Sequence, residues 1–255
     1  MASFRSLDDV EIAYYRWGPA TGRPLVLHHG FISNAQHSWE ERGVVAALVS
    51  AGHRVVALDA RGHGRSGRPH DPRRYGEARM AGDLSRLLDV LGAPVVDLVG
   101  YSMGAVVALL AAVRDARIGR LAIGGVGPRL VTELTDDDRR AATRRALAEA
   151  LRTPDPSAIT SASARQFRTF ADYVGGDRLA LAAQAEALHS EPVPVHLITV
   201  PTLVLAGDAD PLTRRADELA AAMPRATVMT LPGDHLGVPA SAAFAMALVE
   251  FFRPG

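Results

Sequence analysis

A hydroxyl, a carboxylate and an imidazole lie far apart along this chain, each just past the end of a strand pattern. Ser102 stands in Gly100-Tyr101-Ser102-Met103-Gly104, preceded by the run V-V-D-L-V and followed at once by a helix pattern, A-V-V-A-L-L-A-A. A Ser at the tip of so sharp a strand-turn-helix sits in a strained backbone conformation, and glycines two residues to either side let strand and helix approach closely. The five-residue string by itself is common; its context is what makes it a nucleophile elbow. The turn lifts the hydroxyl off the sheet edge, with the positive end of the following helix beneath it. An unperturbed hydroxyl is a poor nucleophile at neutral pH, so Ser102 needs a base within hydrogen-bond reach, and that base needs an orienting carboxylate. Asp210 follows one strand pattern and His235 the next, and loops after parallel strands converge at the carboxyl edge of a sheet. The backbone N–H groups of Met103 and Phe31 are candidates to receive negative charge on a carbonyl oxygen, where losing one donor costs on the order of 10² to 10³ in rate.

The elements that must position these groups read in order along the chain. Residues 4–17 suggest two short strands turning at Asp8-Asp9, and residues 24–29, P-L-V-L-H-H, a strand buried on both faces. Helical spacing over residues 36–51 stops before Gly52, and residues 53–59 form the next strand. The loop that follows contains Gly62, Gly64 and Gly67 in the dinucleotide-binding spacing, but Arg68-Pro69-His70-Asp71-Pro72 comes next where a helix N-terminus would be required. A helix over residues 78–91 carries Leu84, Leu87, Leu88 and Leu91 on one face, and a further strand is expected over residues 120–126.

After Pro128 strand patterns cease and three helical stretches follow, divided by Thr153-Pro154-Asp155-Pro156 and by Gly175-Gly176. The expectation is a core of residues 1–128 and 200–255 with a small helical cap over residues 129–199. Thr135 is placed to cap the first cap helix, with Arg139, Arg140, Arg144 and Arg145 as a solvated face. Phe167, Phe170 and Tyr173 fall near one side of the second; with Trp39 and Tyr101 they are the candidate pocket walls. Strand 201–207, a helix over residues 213–223, strand 226–231 and a helix over residues 240–252 complete the chain.

Composition narrows the partners. The 255 residues carry 28 basic and 28 acidic side chains, with neither sign in a long block, so the electrostatic footprint of a nucleic-acid or anionic-membrane binder is missing and a small molecule is the expected ligand. With no cysteine, disulfides, thiolate metal sites and a Cys nucleophile are excluded. His28-His29 lacks the spacing of a helical metal pair, and no metal or cofactor is expected. The first ten residues hold two acids where a signal peptide would have its apolar run, and the longest apolar run is too short to span a bilayer, so a cytoplasmic protein is expected.

The segments H-G-F at 29–31, D-A-R-G-H-G-R-S at 59–66, G-Y-S-M-G at 100–104, G-D-A-D at 207–210 and G-D-H at 233–235 together resemble the serine hydrolases of the α/β-hydrolase fold superfamily, over almost the whole chain. The resemblance implies an α/β fold with a mostly parallel central sheet flanked by helices. It implies Ser102 as nucleophile, His235 as base and Asp210 as acid, in the chain order of that fold, with Phe31 and Met103 forming the oxyanion hole. Asp208 competes with Asp210; the family spacing G-x-x-D favours Asp210. Where relatives often have a second glycine after the elbow, this chain has Ala105. Cleavage of a small carboxylic ester is the leading expectation. Lactone, thioester or carbon–carbon bond hydrolysis and a haloperoxidase-like activity use the same three groups, whereas Ser at the elbow counts against epoxide and haloalkane hydrolysis, which need a carboxylate there. A small-molecule receptor on the same fold is the non-enzymatic alternative.

Overall fold

The computed structural model describes residues 1–131 and 137–253. Among them eight strands form one sheet: β1 (Ala2–Arg5), β2 (Glu11–Trp17), β3 (Pro24–His28), β4 (Arg54–Leu58), β5 (Val96–Tyr101), β6 (Ile118–Gly124), β7 (Thr202–Gly207) and β8 (Ala226–Leu231). Their order is β1-β2-β4-β3-β5-β6-β7-β8. β1 and β2 form the antiparallel hairpin that pairs with β4, and every later pairing is parallel. Every residue of β3, β5 and β7 is buried, as apolar runs covered on both faces require.

Helices cover the sheet on two sides. α1 (Val44–Ser50) and the closing helix α8 (Ala242–Phe251) lie on one face over Leu25, Leu27, Val55 and Leu203, while α2 (Glu77–Leu91), α3 (Met103–Arg114) and α7 (Ala216–Ala221) pack on the other over Val26, Val56, Leu98 and Leu121. Alternate residues of each central strand thus feed two separate cores. Between β6 and β7 come three helices and no strand: α4 (Asp137–Arg152), α5 (Ala162–Val174) and α6 (Arg178–Glu186). They share a third apolar cluster, in which Leu147, Leu151, Ala171 and Leu181 meet Ile32 and Phe31 of the loop after β3. The buried Arg168 of α5 donates to the Ala150 and Thr153 carbonyls at 2.9 and 2.6 Å, satisfying acceptors that the end of α4 leaves open.

Four expectations shift. The single helix over 36–51 is a helical turn, Gln36–Glu40, followed by α1, because Gly43 enters the left-handed region at φ 76°. The helix over 213–223 shortens to α7, since Arg215 has φ 61°. β6 runs two residues earlier than expected and ends where Gly125 turns at φ 71°. Arg144 is half-buried and donates to the Leu188 carbonyl at 3.1 Å, so it does not belong to a solvated face. The expected cap at Thr135 lies outside the described residues.

The elbow sets the tightest packing in the sheet. A Cβ on Gly100 would lie 2.2 Å from the Gly104 carbonyl oxygen, and one on Gly104 would lie 2.1 Å from that of His28. Gly82 on α2 faces open space instead. Gly100→Ala is expected to destabilise the protein by about 3 kcal/mol or more, because backbone must move, while Gly82→Ala stabilises it by about 0.5 to 1 kcal/mol through helix propensity; urea unfolding of the two variants checks both signs.

Candidate active site

Ser102 has φ 55° and ψ −117°, the strained conformation expected of an elbow, and its N–H donates to the Gly124 carbonyl at 2.8 Å. Its Oγ lies 3.0 Å from His235 Nε2, and His235 Nδ1 lies 2.8 Å from Asp210 Oδ2. The carboxylate can only accept, so Nδ1 carries the proton and Nε2 presents its lone pair to the Ser102 hydroxyl. Asp210 is fully buried through its side chain, and its other oxygen accepts the Leu212 N–H at 2.9 Å. Asp208, the alternative, is a turn residue that accepts the Gly233 N–H at 2.8 Å. Asp234 likewise holds the turn after it, accepting from Leu236 and Gly237.

Tyr101 fixes the imidazole from behind. Its hydroxyl donates to the His235 carbonyl at 2.8 Å, and its ring centroid sits 5.4 Å from the imidazole. Gly125 leaves room for that imidazole, since a Cβ there would fall 2.9 Å from His235 Cε1.

The loop after β3 brings Gly30 under the elbow, with a would-be Gly30 Cβ 3.3 Å from Ser102 Cβ. Among the described residues neither the Phe31 nor the Met103 N–H donates to a protein acceptor, and Met103 is the first residue of α3, where helix geometry leaves the N–H open. His29 orders this loop: its Nε2 accepts the Ala60 N–H at 2.9 Å, which requires a bare nitrogen, so Nδ1–H donates to the Gly30 carbonyl at 2.8 Å. Burial pushes His28 and His63 down to about 4 and His29 well below its usual value, so all three are neutral supports at neutral pH.

A model described as serine hydrolase (FSH1) matches residues 86–248, and one described as alpha/beta hydrolase fold matches residues 23–146. The chain belongs to the α/β-hydrolase-fold serine hydrolases. It is 33% identical over 144 residues to a non-heme chloroperoxidase of Streptomyces lividans, covering 54% of this chain and 49% of that protein. A putative carbamate hydrolase of Variovorax paradoxus is 39% identical over 107 residues, 42% of this chain and 39% of the relative. The chain thus spans half or less of the length of these curated relatives. The crystal structure of an enol-lactonase from Burkholderia xenovorans superposes with a TM-score of 0.77 at 26% identity, covering 99% of this chain and 100% of that one.

In this family member Ser102 and His235 open into a cavity of about 400 Å³, with Asp210 buried behind them. Phe31, Tyr101 and Met103 line it, as do Phe167 and Phe170 from α5. Trp39 reaches its wall from a fully buried position, stacked on Phe244 with centroids 6.4 Å apart. Tyr173 does not belong to it: one helical turn beyond Phe170, it is 76% exposed and lines a second groove, which Phe170 also borders. Membership of a helical stripe does not guarantee a common depth.

Several wall residues are not singled out by the sequence, and the most deeply buried charged one is Glu77. Glu77, at the start of α2, is 3% exposed, faces the cavity and accepts the His189 N–H at 2.7 Å. It resembles an ordinary first-turn acid, yet it lies three residues before Met80 and seven before Leu84, on the apolar stripe, and that spacing was the available signal. Burial pushes its pKa up to about 7 despite the His189 N–H and the Arg144 charge, both of which pull it down.

Between about pH 4.5 and 7 the native protein therefore holds a proton that the unfolded chain has released, and this group's contribution to stability falls as pH rises. Glu77→Gln is expected to gain on the order of 3 kcal/mol relative to wild type between pH 4.5 and pH 8. Urea unfolding of both proteins at the two pH values measures the difference; parallel pH dependences would contradict it.

No described helix is long and apolar enough to cross a membrane.

Proposed function

We propose that the protein hydrolyses small carboxylic esters through an acyl-enzyme. The supporting observation is the continuous hydrogen-bonded line Asp210–His235–Ser102 beside two open backbone N–H groups, at the floor of a cavity of small-molecule size. Ser102 Oγ attacks the ester carbonyl carbon while His235 Nε2 takes its proton. The resulting oxyanion is held by the Phe31 and Met103 N–H groups, and the imidazolium by Asp210. Collapse breaks the bond to the alkoxide, which leaves as the alcohol with the proton from Nε2. Water then attacks the acyl carbon, gives a proton to His235, and collapse frees the acid and the Ser102 hydroxyl. Residues 129–199 act as a cap, with Phe167 and Phe170 covering the substrate.

Lactone opening is the second reading, supported by the full-length likeness to the Burkholderia enol-lactonase. A lactone is a cyclic ester, so the same atoms serve, and the leaving alkoxide stays tethered to the acyl group.

A fluorophosphonate is expected to label the protein stoichiometrically, and peptide mapping to place the adduct on Ser102. Ser102→Ala should lose about 10⁴-fold or more in kcat on p-nitrophenyl esters, and Asp210→Asn about 10³- to 10⁴-fold. Undiminished turnover by Ser102→Ala would sink the proposal.

A further inference from the structure

Among the polar residues of the cavity that have no part in the proposed chemistry, Glu77 is the most deeply buried. It brings a carboxyl into a cavity that Met103, Val106, Val126, Leu130 and Leu147 also line. A buried carboxyl in apolar surroundings costs far more than the leucine that the α2 stripe would otherwise place there. The protein satisfies it only in part: Oε2 accepts the His189 N–H, and a carboxyl also accepts from the first N–H of its own helix, which leaves lone pairs over. His189 lines the same cavity, and its Nε2 is buried with no partner among the described residues. Glu77 thus brings to the cavity a carboxyl with acceptor capacity that the fold does not use, beside a histidine whose ring nitrogen is itself buried without a partner among the described residues.

The chemistry of that wall selects its occupant. Arg144 already offsets the charge of Glu77, and Arg42 and Arg129 line the same cavity, so a cationic substrate group would meet a positive surround. An anionic group would face the Glu77 lone pairs directly. A neutral hydroxyl meets neither penalty, because it donates to a carboxylate oxygen and accepts when the carboxyl is protonated.

We propose that Glu77, held by the His189 N–H, forms a polar subsite that takes a hydroxyl group on the substrate, so that the preferred esters are hydroxylated ones and not plain alkyl esters. This inference rests on the ester-hydrolase reading for its substrate class. It gives Glu77 a role in specificity, since a site built to hydrogen-bond a hydroxyl discriminates against the analogue that lacks it by leaving its own polar groups unpaired.

The test compares matched substrates in two arms. In the acyl arm, p-nitrophenyl ω-hydroxyalkanoates of five to eight carbons are set against the plain alkanoates; in the alcohol arm, monoacetates of terminal diols are set against alkyl acetates. Wild type is expected to prefer the hydroxylated member of at least one pair by about ten-fold or more in kcat/KM. Glu77→Leu should reverse that preference, raising turnover of the alkyl ester several-fold, and Glu77→Gln, which keeps an acceptor of the same shape, should retain part of it. Equal kcat/KM within every pair, or a preference that survives Glu77→Leu, overturns the subsite while leaving the hydrolase reading intact. If wild type takes the fluorophosphonate nowhere and turns over no ester, the hydrolase reading fails. The subsite is then decided by calorimetry on Ser102→Ala with methyl 6-hydroxyhexanoate against methyl hexanoate, where equal affinities overturn it and ten-fold tighter binding of the hydroxylated ester, lost in Ser102→Ala/Glu77→Leu, supports it.

Discussion

The close approach of β5 to α3 at Ser102 is the constraint around which the rest of the molecule is arranged. Turning from strand to helix within one residue puts Ser102 at φ 55°, a conformation that costs of order 1 to 3 kcal/mol and persists only where surrounding packing dictates it. That packing is visible at three glycines: Gly100 against Gly104, Gly104 against His28, and Gly30 against Ser102 itself. The strain has a geometric yield. It points the hydroxyl out over the carboxyl edge of the sheet and leaves the Met103 N–H, the first of α3, open beside it.

The second donor, Phe31, belongs to a different strand and has to be held by other means. The loop of residues 59–67 does this through a set of buried and half-buried hydrogen bonds. Asp59 accepts from Ala35 and Arg65 N–H groups at 2.8 Å each, Ala60 donates to His29, and Ser66 donates to the Asp59 carbonyl while accepting from Ala13. Arg61, 1% exposed, forks onto Asp83 of α2 at 2.6 and 2.7 Å and onto Asp8 of the hairpin turn at 2.8 and 2.9 Å. Burying such a cation gives little net stability, and removing one partner would leave an uncompensated charge. What the network supplies is register: it ties the turn of the β1–β2 hairpin and the middle of α2 to the loop under Phe31. The glycine spacing in this loop, which imitates a dinucleotide site, follows from the same crowding, since a Cβ on Gly64 would meet Asp59 Oδ2 at 2.1 Å and one on Gly62 would meet the Tyr75 ring at 2.7 Å.

Much of this architecture was legible in the chain because it depends on local chemistry. Strands buried on both faces announce themselves as apolar runs, and the elbow, the loop at His29 and the turns at Asp210 and His235 carry residue types that their backbones demand. Depth was less legible. Phe170 and Tyr173 are separated by one turn of α5 and both pack on His37, yet only Phe170 reaches the cavity while Tyr173 stays 76% exposed. Arg144 reads as one of a solvated set of arginines and is half-buried. Arg215, left-handed without being glycine, delays the start of α7 where propensity alone would have begun the helix earlier. Glu77 is the instructive case, because its position on the apolar stripe was present in the spacing, but a charged side chain on such a stripe signals either an error of phase or a site, and periodicity cannot choose between them.

Glu77 also bears on how charge is distributed across the cavity. α2 and α3 pack side by side, and both begin at its wall, so two helix N-termini offer partial positive charge there. At α2 that field is met by the Glu77 carboxyl, which folds back onto the first turn of its own helix. At α3 the corresponding N–H, that of Met103, has no such partner among the described residues. An anion developing in the cavity would therefore find its stabilisation beside Ser102 and Phe31, and would be turned away from the neighbouring helix end by a carboxylate or offered one proton by a carboxyl. Replacing Glu77 with an apolar residue would leave the second N-terminus open to negative charge that the carboxyl now keeps away.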